Sequence, residues 1–184
     1  AEVLPGSQNA QARFVEREIS ASNNDALRRR WQKRLATLPT DSLWPWPAES
    51  DLADAGRVKI ELPTHTAHEL SKLAENTELP LKSWLMACAG RVIAWAVGVD
   101  ASVLGLITSC RPESEDTGDA IGMFLNTLPV VLDGGETWMH AAQQALAAEA
   151  DVIDDRMLPL SELVRMAERR PFMASFNFVH FRPT

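Results

Sequence analysis

Apolar residues recur at Leu27, Trp31, Leu35 and Leu38, three or four apart, which predicts a helix with Asn23 or Asn24 as its N-cap. An earlier helix is expected over residues 10–19. Arg28, Arg29, Arg30, Lys33 and Arg34 occupy much of the second helix's remaining surface and predict a solvated basic face whose long stems lie over apolar surface. Further along, Val58, Ile60 and Leu62 alternate with Lys59 and Glu61, the period of a half-buried strand. Thr64 or Thr66 is then placed to cap a helix carrying Leu70, Leu73 and Ala74. Pro80 suits the start of LKSWLMACAGRVIAWAVG, which is apolar nearly all round and predicts a buried central helix ending at Gly98.

The run SVLGLITS reads as a fully buried strand, and the second half of IGMFLNTLPVVLD as another. Asp133-Gly134-Gly135 marks a turn into an Ala-rich helix over residues 137–155. A shorter helix starts near Pro159, with Leu160, Leu163, Val164 and Ala167 on one side. In FMASFNFVHF, Ala174, Phe176, Phe178 and His180 share one face, opposite Ser175, Asn177 and Val179. This order of elements indicates an α/β or α+β layer structure with helices covering a sheet. The proline-broken stretch PTDSLWPWPAESDLADA reads as a connector packed along a surface or between lobes.

A chain of 184 residues with 46% hydrophobic content suffices for one substantial domain and is not that of a disordered protein. The formal net charge of −7 argues against nucleic acid as a partner. Two cysteines, Cys88 and Cys110, form no CxxC pattern and read as small buried hydrophobes, in keeping with a reducing cytoplasm. Residues 84–99 are interrupted by Arg91 and too few to span a bilayer comfortably, and AEVLPGSQNAQ lacks a signal-peptide pattern, so a soluble cytoplasmic protein is expected. His65 and His68 share a helix face but lack a third ligand nearby, so no metal site is assigned. No nucleophile elbow, phosphate-binding glycine loop or Cys-His pairing stands out.

One segment says more. In SCRPESEDTGDAIGMFLNTLP, the residues Arg111, Pro112, Ile121, Gly122, Phe124, Asn126, Thr127, Leu128 and Pro129 resemble the signature of nonribosomal peptide synthetase condensation domains. Cys110 stands where that family usually has glycine. The flanks agree in order. Trp31-Gln32-Lys33-Arg34-Leu35 is similar to the helix closing the family's amino-terminal lobe, and RVKIELP to the first strand beyond the hinge. DRMLPLSELV and SFNFVHF resemble the later proline-led helix and hydrophobic strand.

The resemblance implies a chloramphenicol-acetyltransferase-like lobe, a mixed sheet covered by helices. Residues 1–38 would end the amino-terminal lobe, 39–56 form the crossover linker and 57–184 most of the carboxy-terminal lobe. It also implies amide formation between an acyl donor and an amine acceptor, each tethered through phosphopantetheine to a carrier protein. Carrier domains, an adjacent adenylation domain and an amino-terminal lobe are the implied partners, and no directly bound cofactor is expected. The family's His-His-x-x-x-Asp-Gly motif is not found, since His65, His68, His140 and His180 each lack that pattern. The chain alone is therefore expected to be a catalytically inactive fragment with no catalytic residue of its own. Arg111, Gly122, Phe124, Asn126, Thr127, Ser175 and Asn177 are the candidate tunnel or structural-signature residues. Gly122 is expected to allow a backbone angle closed to other residues. Asn126 is suited either to a pantetheine amide or to a turn-fixing hydrogen bond. For Arg111 an ion pair is favoured over substrate contact. A catalytically silent, condensation-like module that recruits a tailoring enzyme or scaffolds its neighbours is the alternative, as is, less favoured, a free-standing coenzyme A acyltransferase.

Overall fold

The computed structural model describes residues 7–40, 56–111 and 122–179. Among these are six helices and three strands. Helix α1 spans Ser7–Ser22 and α2 Asp25–Ala36. Asn24 is the N-cap between them; its backbone is extended and its Oδ1 accepts the Leu27 N–H at 3.1 Å. The stripe Leu27, Trp31 and Leu35 is buried, as the helical spacing requires. Helices α3 (Thr64–Thr77) and α4 (Leu81–Val97) follow, then β1 (Ala101–Ser109), β2 (Leu125–Asp133), α5 (Trp138–Ile153), α6 (Leu160–Ala167) and β3 (Ala174–Phe176). Gly98 ends α4 in the left-handed region, at φ 80°, where a glycine carries no Cβ penalty.

The sheet order is β2-β1-β3, with β1 and β3 parallel and Gly105 opposite Ser175. Cys110 N–H donates to Phe124 O at 2.7 Å, and Gly134 N–H to Asp100 O at 3.0 Å. These bonds lie ten residues apart on each strand, in opposite directions, so β1 and β2 run antiparallel and the sheet is mixed. They also place the hydrogen-bonded pairs at even positions. Pro129 falls at an odd one, where its missing N–H faces away from β1. Thr127 is likewise outward, and its N–H is taken by Asn126 Oδ1 at 2.8 Å.

Two compact units emerge. The first holds the described residues of Ala1–Leu38, Val103–Val131 and Ala148–Thr184. In it α1 packs on α2 and α2 on α6, and the Phe172 ring lies so close over Gly105 that an added Cβ would meet it at 2.5 Å. The second holds those of Pro39–Ser102 and Leu132–Ala147. There α3 packs on α4, and Gly90 lets α4 approach Leu132, whose Cδ1 would sit 2.7 Å from a Cβ. Arg91 pins the turn before α5, donating to the carbonyls of Gly134 (2.6 Å), Gly135 (2.8 Å) and Thr137 (3.2 Å) and stacking 4.1 Å from the Trp138 ring centre.

Several expectations change. Residues 57–62 form no strand, and their apolar side chains are exposed, Val58 at 83%, Ile60 at 81% and Leu62 at 57%. Strand period alone cannot make a strand without a neighbour to pair with. Neither Thr64 nor Thr66 caps α3 through its side chain; Pro63 occupies the N-cap, and the helix buries no residue. Helix α4 buries one face, with Met86, Ala87, Gly90 and Ala94, but leaves Val92 and Trp95 exposed. The alternation in SFNFV is observed, yet only Ala174–Phe176 pair as β3. Cys110 is buried as expected, while Cys88 is half-buried. The connector at residues 41–55, the acidic loop at 113–119 and His180 lie outside the described residues.

Candidate functional site

The signature segment enters the first unit at the end of β1 and leaves along β2. Phe124, just before β2, is buried among Ala10, Phe14 and Cys110, with Met157 against the cluster. Its ring meets Phe14 edge-on, centres 5.4 Å apart. On the other side the Arg111 guanidinium carbon lies 4.4 Å from the Phe124 ring centre. Ser109, Arg111, Gly122, Met123, Phe124 and Leu125 line an open cleft of about 490 Å³. It offers one cation, one hydroxyl and an apolar floor, a combination suited to a mostly apolar ligand with one polar group.

Gly122 does not adopt a positive φ; among the described residues the glycines that do are Gly98 and Gly135. What constrains Gly122 is proximity, because a Cβ would run into the side-chain amide of Gln11 on α1. That Gln11 Oε1 is buried and has no hydrogen-bond donor among the described residues.

Asn126 shares the buried face of β2 with Leu128, Val130 and Leu132. Its Nδ2 donates to Arg156 O at 2.8 Å and to Leu158 O at 2.7 Å. Its Oδ1 accepts from Thr127 N–H, and from Leu160 N–H at 3.1 Å. Both donors and both acceptor positions are thus filled by backbone, which leaves none for a ligand. Leu160 opens α6, whose N-cap Pro159 makes no side-chain capping bond, so Asn126 supplies the missing acceptor from across the fold.

Of the seven residues singled out from the sequence, Arg111, Gly122 and Phe124 meet at the cleft. Asn126 and Thr127 face the α5–α6 turn and the outer edge of β2. Ser175 and Asn177 are exposed, on and just after β3, and do not line the cleft. Pro112 and Ile121 fall outside the described residues. Met123 and Leu125, both exposed, were hidden in the variable positions of the signature. Phe14 and Gln11 carried no motif, and the helix expected over residues 10–19 was the only reading that touched them.

On the basic face of α2, Arg29 and Lys33 are exposed as expected, but Arg28, Arg30 and Arg34 form an ion-pair network. Arg30 donates to Asp155 Oδ2 through Nε (3.0 Å) and to Oδ1 through Nη2 (2.6 Å), and Arg34 Nη1 shares Oδ2 at 2.5 Å. Arg34 also binds Asp151 at 2.8 Å, and Arg28 binds Glu162 at 2.7 Å. The Trp31 indole donates to Asp155 O at 3.1 Å. Asp155 is buried, and hydrogen bonds from Arg30, against the opposing effect of burial and with help from Arg34, hold its carboxyl below the usual range. The acids lie more than a hundred residues away in sequence, which is why the cluster reads as solvated when taken alone.

The frame of the site is a small mixed sheet with flanking helices, in which Arg111 follows β1 and Asn126-Thr127-Leu128-Pro129 lie within β2. The family model for the condensation domain matches residues 5–179, and the chain belongs to that family. It is 32% identical over 167 residues to the AMB antimetabolite synthetase AmbE of Pseudomonas aeruginosa, covering 91% of this chain and 8% of that synthetase. Among solved structures, the first condensation domain of the calcium-dependent antibiotic synthetase superposes with a TM-score of 0.74 at 17% identity, over 94% of this chain and 42% of that one. PapA2 acyl transferase does so with a TM-score of 0.68 at 15% identity, over 95% and 40%. The chain therefore spans less than half the length of each of these proteins. No helix among the described residues is long and apolar enough to cross a membrane.

Proposed function

We propose that this chain forms one wall of the acyl channel in a condensation domain that joins a carrier-bound acyl donor to a carrier-bound amine. The supporting observation is the cleft beside the signature strand, where the Arg111 cation rests on Phe124 and the rim is apolar. A pantetheine-linked acyl chain has the matching chemistry, with a long apolar stretch and a few amide groups. Phosphopantetheine arrives on the substrates and no group is held permanently by this chain. Its four histidines lack the paired motif, so the chain shapes and orients while proton transfer falls to the amino-terminal lobe. Carrier-protein domains and an adjacent adenylation domain are its working neighbours, in a cytoplasmic assembly making a secondary metabolite of the antibiotic type.

The test uses the longer synthetase containing this segment, with product on the acceptor carrier followed by intact-protein mass spectrometry. Met123→Trp, which fills the cleft from an exposed position, and Arg111→Ala should each lower amide formation about tenfold or more without altering unfolding. Unchanged turnover in both would overturn the channel-wall reading. A parent synthetase that forms no amide yet retains a tailoring enzyme would point to the recruiting role. The chain by itself should give no product.

A further inference from the structure

Phe124 supplies the apolar floor of the cleft, and its backbone is pinned, because Cys110 N–H donates to Phe124 O at 2.7 Å. Only the ring is left to be placed. The Arg111 guanidinium lies over it, and Gly122 stands so near that an added Cβ would come within 3.2 Å of Phe124 Cε2. Those two contacts belong to the cleft itself. The third does not. Phe14, one helical turn beyond Ala10 on α1, is buried and is not among the residues lining the cleft. Its ring meets that of Phe124 at 73°, with centres 5.4 Å apart. Met157 packs on the same cluster, but from a turn tied down by Trp31 at Asp155 O and by Asn126 at the carbonyls of Arg156 and Leu158. Space opened at residue 14 is therefore not refilled from that side, and the Phe124 ring is the group free to move into it.

We infer that Phe14 is a positioning residue: without touching the acyl group, it braces the Phe124 ring and so sets the size of acyl group that the cleft admits. The inference rests on the channel-wall reading above and extends it to selectivity. All of these contacts lie inside the first unit, among side chains packed on one another. Apolar pockets separate substrates by bulk, at about tenfold or more for each methylene that fits or fails to fit. A shorter side chain at residue 14 lets the ring tilt toward α1 and deepens the floor, which favours longer acyl groups over short ones.

The test uses the longer synthetase containing this segment, its donor carrier loaded with an equimolar mixture of acetyl, butanoyl, hexanoyl and octanoyl pantetheine. Intact-protein mass spectrometry of the acceptor carrier gives the ratio of the four amides. Within one vessel that ratio is independent of how much enzyme is folded, so it separates bracing from loss of stability. Phe14→Leu should move it toward the longer chains by about tenfold. Phe14→Met, whose flexible thioether refills part of the gap, should move it the same way by less. Gly105→Ala, which strains β1 against Phe172 and leaves the Phe124 cluster alone, should keep the parent's ratio. The parent's ratio in the Phe14 variants, with Met123→Trp still blocking amide formation, would overturn the brace and spare the channel wall. Should Met123→Trp also have no effect, or the parent accept none of the four acyl groups, both would fall. An equal shift in Gly105→Ala would overturn the brace too, since selectivity would then follow general loosening.

Discussion

The Leu160 N–H at the head of α6 is capped by the Asn126 side chain on β2, which accepts it at 3.1 Å. The same carboxamide donates to the carbonyls of Arg156 and Leu158, so one side chain fastens the α5–α6 turn to the sheet. Replacing it with Ala strands several buried backbone groups and should cost about 2–4 kcal/mol. Asn126→Asp should cost a similar amount, since a carboxylate cannot donate to two carbonyls. The check is urea unfolding, with a lower midpoint at unchanged slope. A loss under about 0.5 kcal/mol, the range of ordinary surface changes, would contradict the clamp.

Asp155 makes stability depend on acidity. Its carboxyl titrates below the ordinary range when folded. The stability it contributes is therefore complete above the unfolded value, near pH 4, and is lost as pH falls through the lower folded value. Asp155→Asn leaves Arg30 without its counter-charge and Arg34 with Asp151 alone, and should destabilise by about 3 kcal/mol at pH 7. The gap between the two proteins should narrow below about pH 4, as measured by chemical unfolding at stepped pH.

Gly105 and Phe172 form a coupled pair. A Cβ on residue 105 would meet three ring carbons at 2.5–2.7 Å, so Gly105→Ala should cost about 1–3 kcal/mol. Combined with Phe172→Leu the two losses should fall short of their sum, because removing the ring relieves the clash. Strict additivity in thermal unfolding would show that the two do not touch.

The thiols should differ in reactivity. Burial pushes the Cys110 thiol up to about 11, and its Sγ points at Arg156 O, 3.4 Å away. Cys88 is also raised by burial but is only half-buried. A thiolate-specific reagent at pH 8 should label Cys88 first and Cys110 only on unfolding. Cys88→Ser should abolish the native-state label, whereas Cys110→Ser should leave it unchanged.

What could be read from the sequence was local or carried by the signature. The Asn24 cap, the Pro80 and Gly98 limits of α4, and strands β1 and β2 each rest on neighbouring residues, and they emerged as expected. The readings that failed depend on distant partners. Val58 to Leu62 have the period of a strand, but pairing decides whether a strand forms. The α2 arginines look solvated until Asp151, Asp155 and Glu162 fold back onto them. At the cleft, the signature pointed to Arg111 and Phe124, but it could not reveal that Gln11, from α1, is what crowds Gly122. Nor could it show that Asn126 spends all its hydrogen bonds on the backbone.

The outward edge of β2 has a consequence for the chain while it is being made. Thr127 N–H is already engaged and Pro129 has none, so two successive docking points for a stray strand are absent from that rim. During synthesis β1 and β2 emerge well before β3, and the other rim, along β1, stays bare in the interval. The β2 rim of the nascent hairpin is therefore less receptive than the β1 rim, and the latter is closed when residues 174–176 arrive. Misassembly with neighbouring ribosomes' products should consequently track how fast the chain between β2 and β3 is completed.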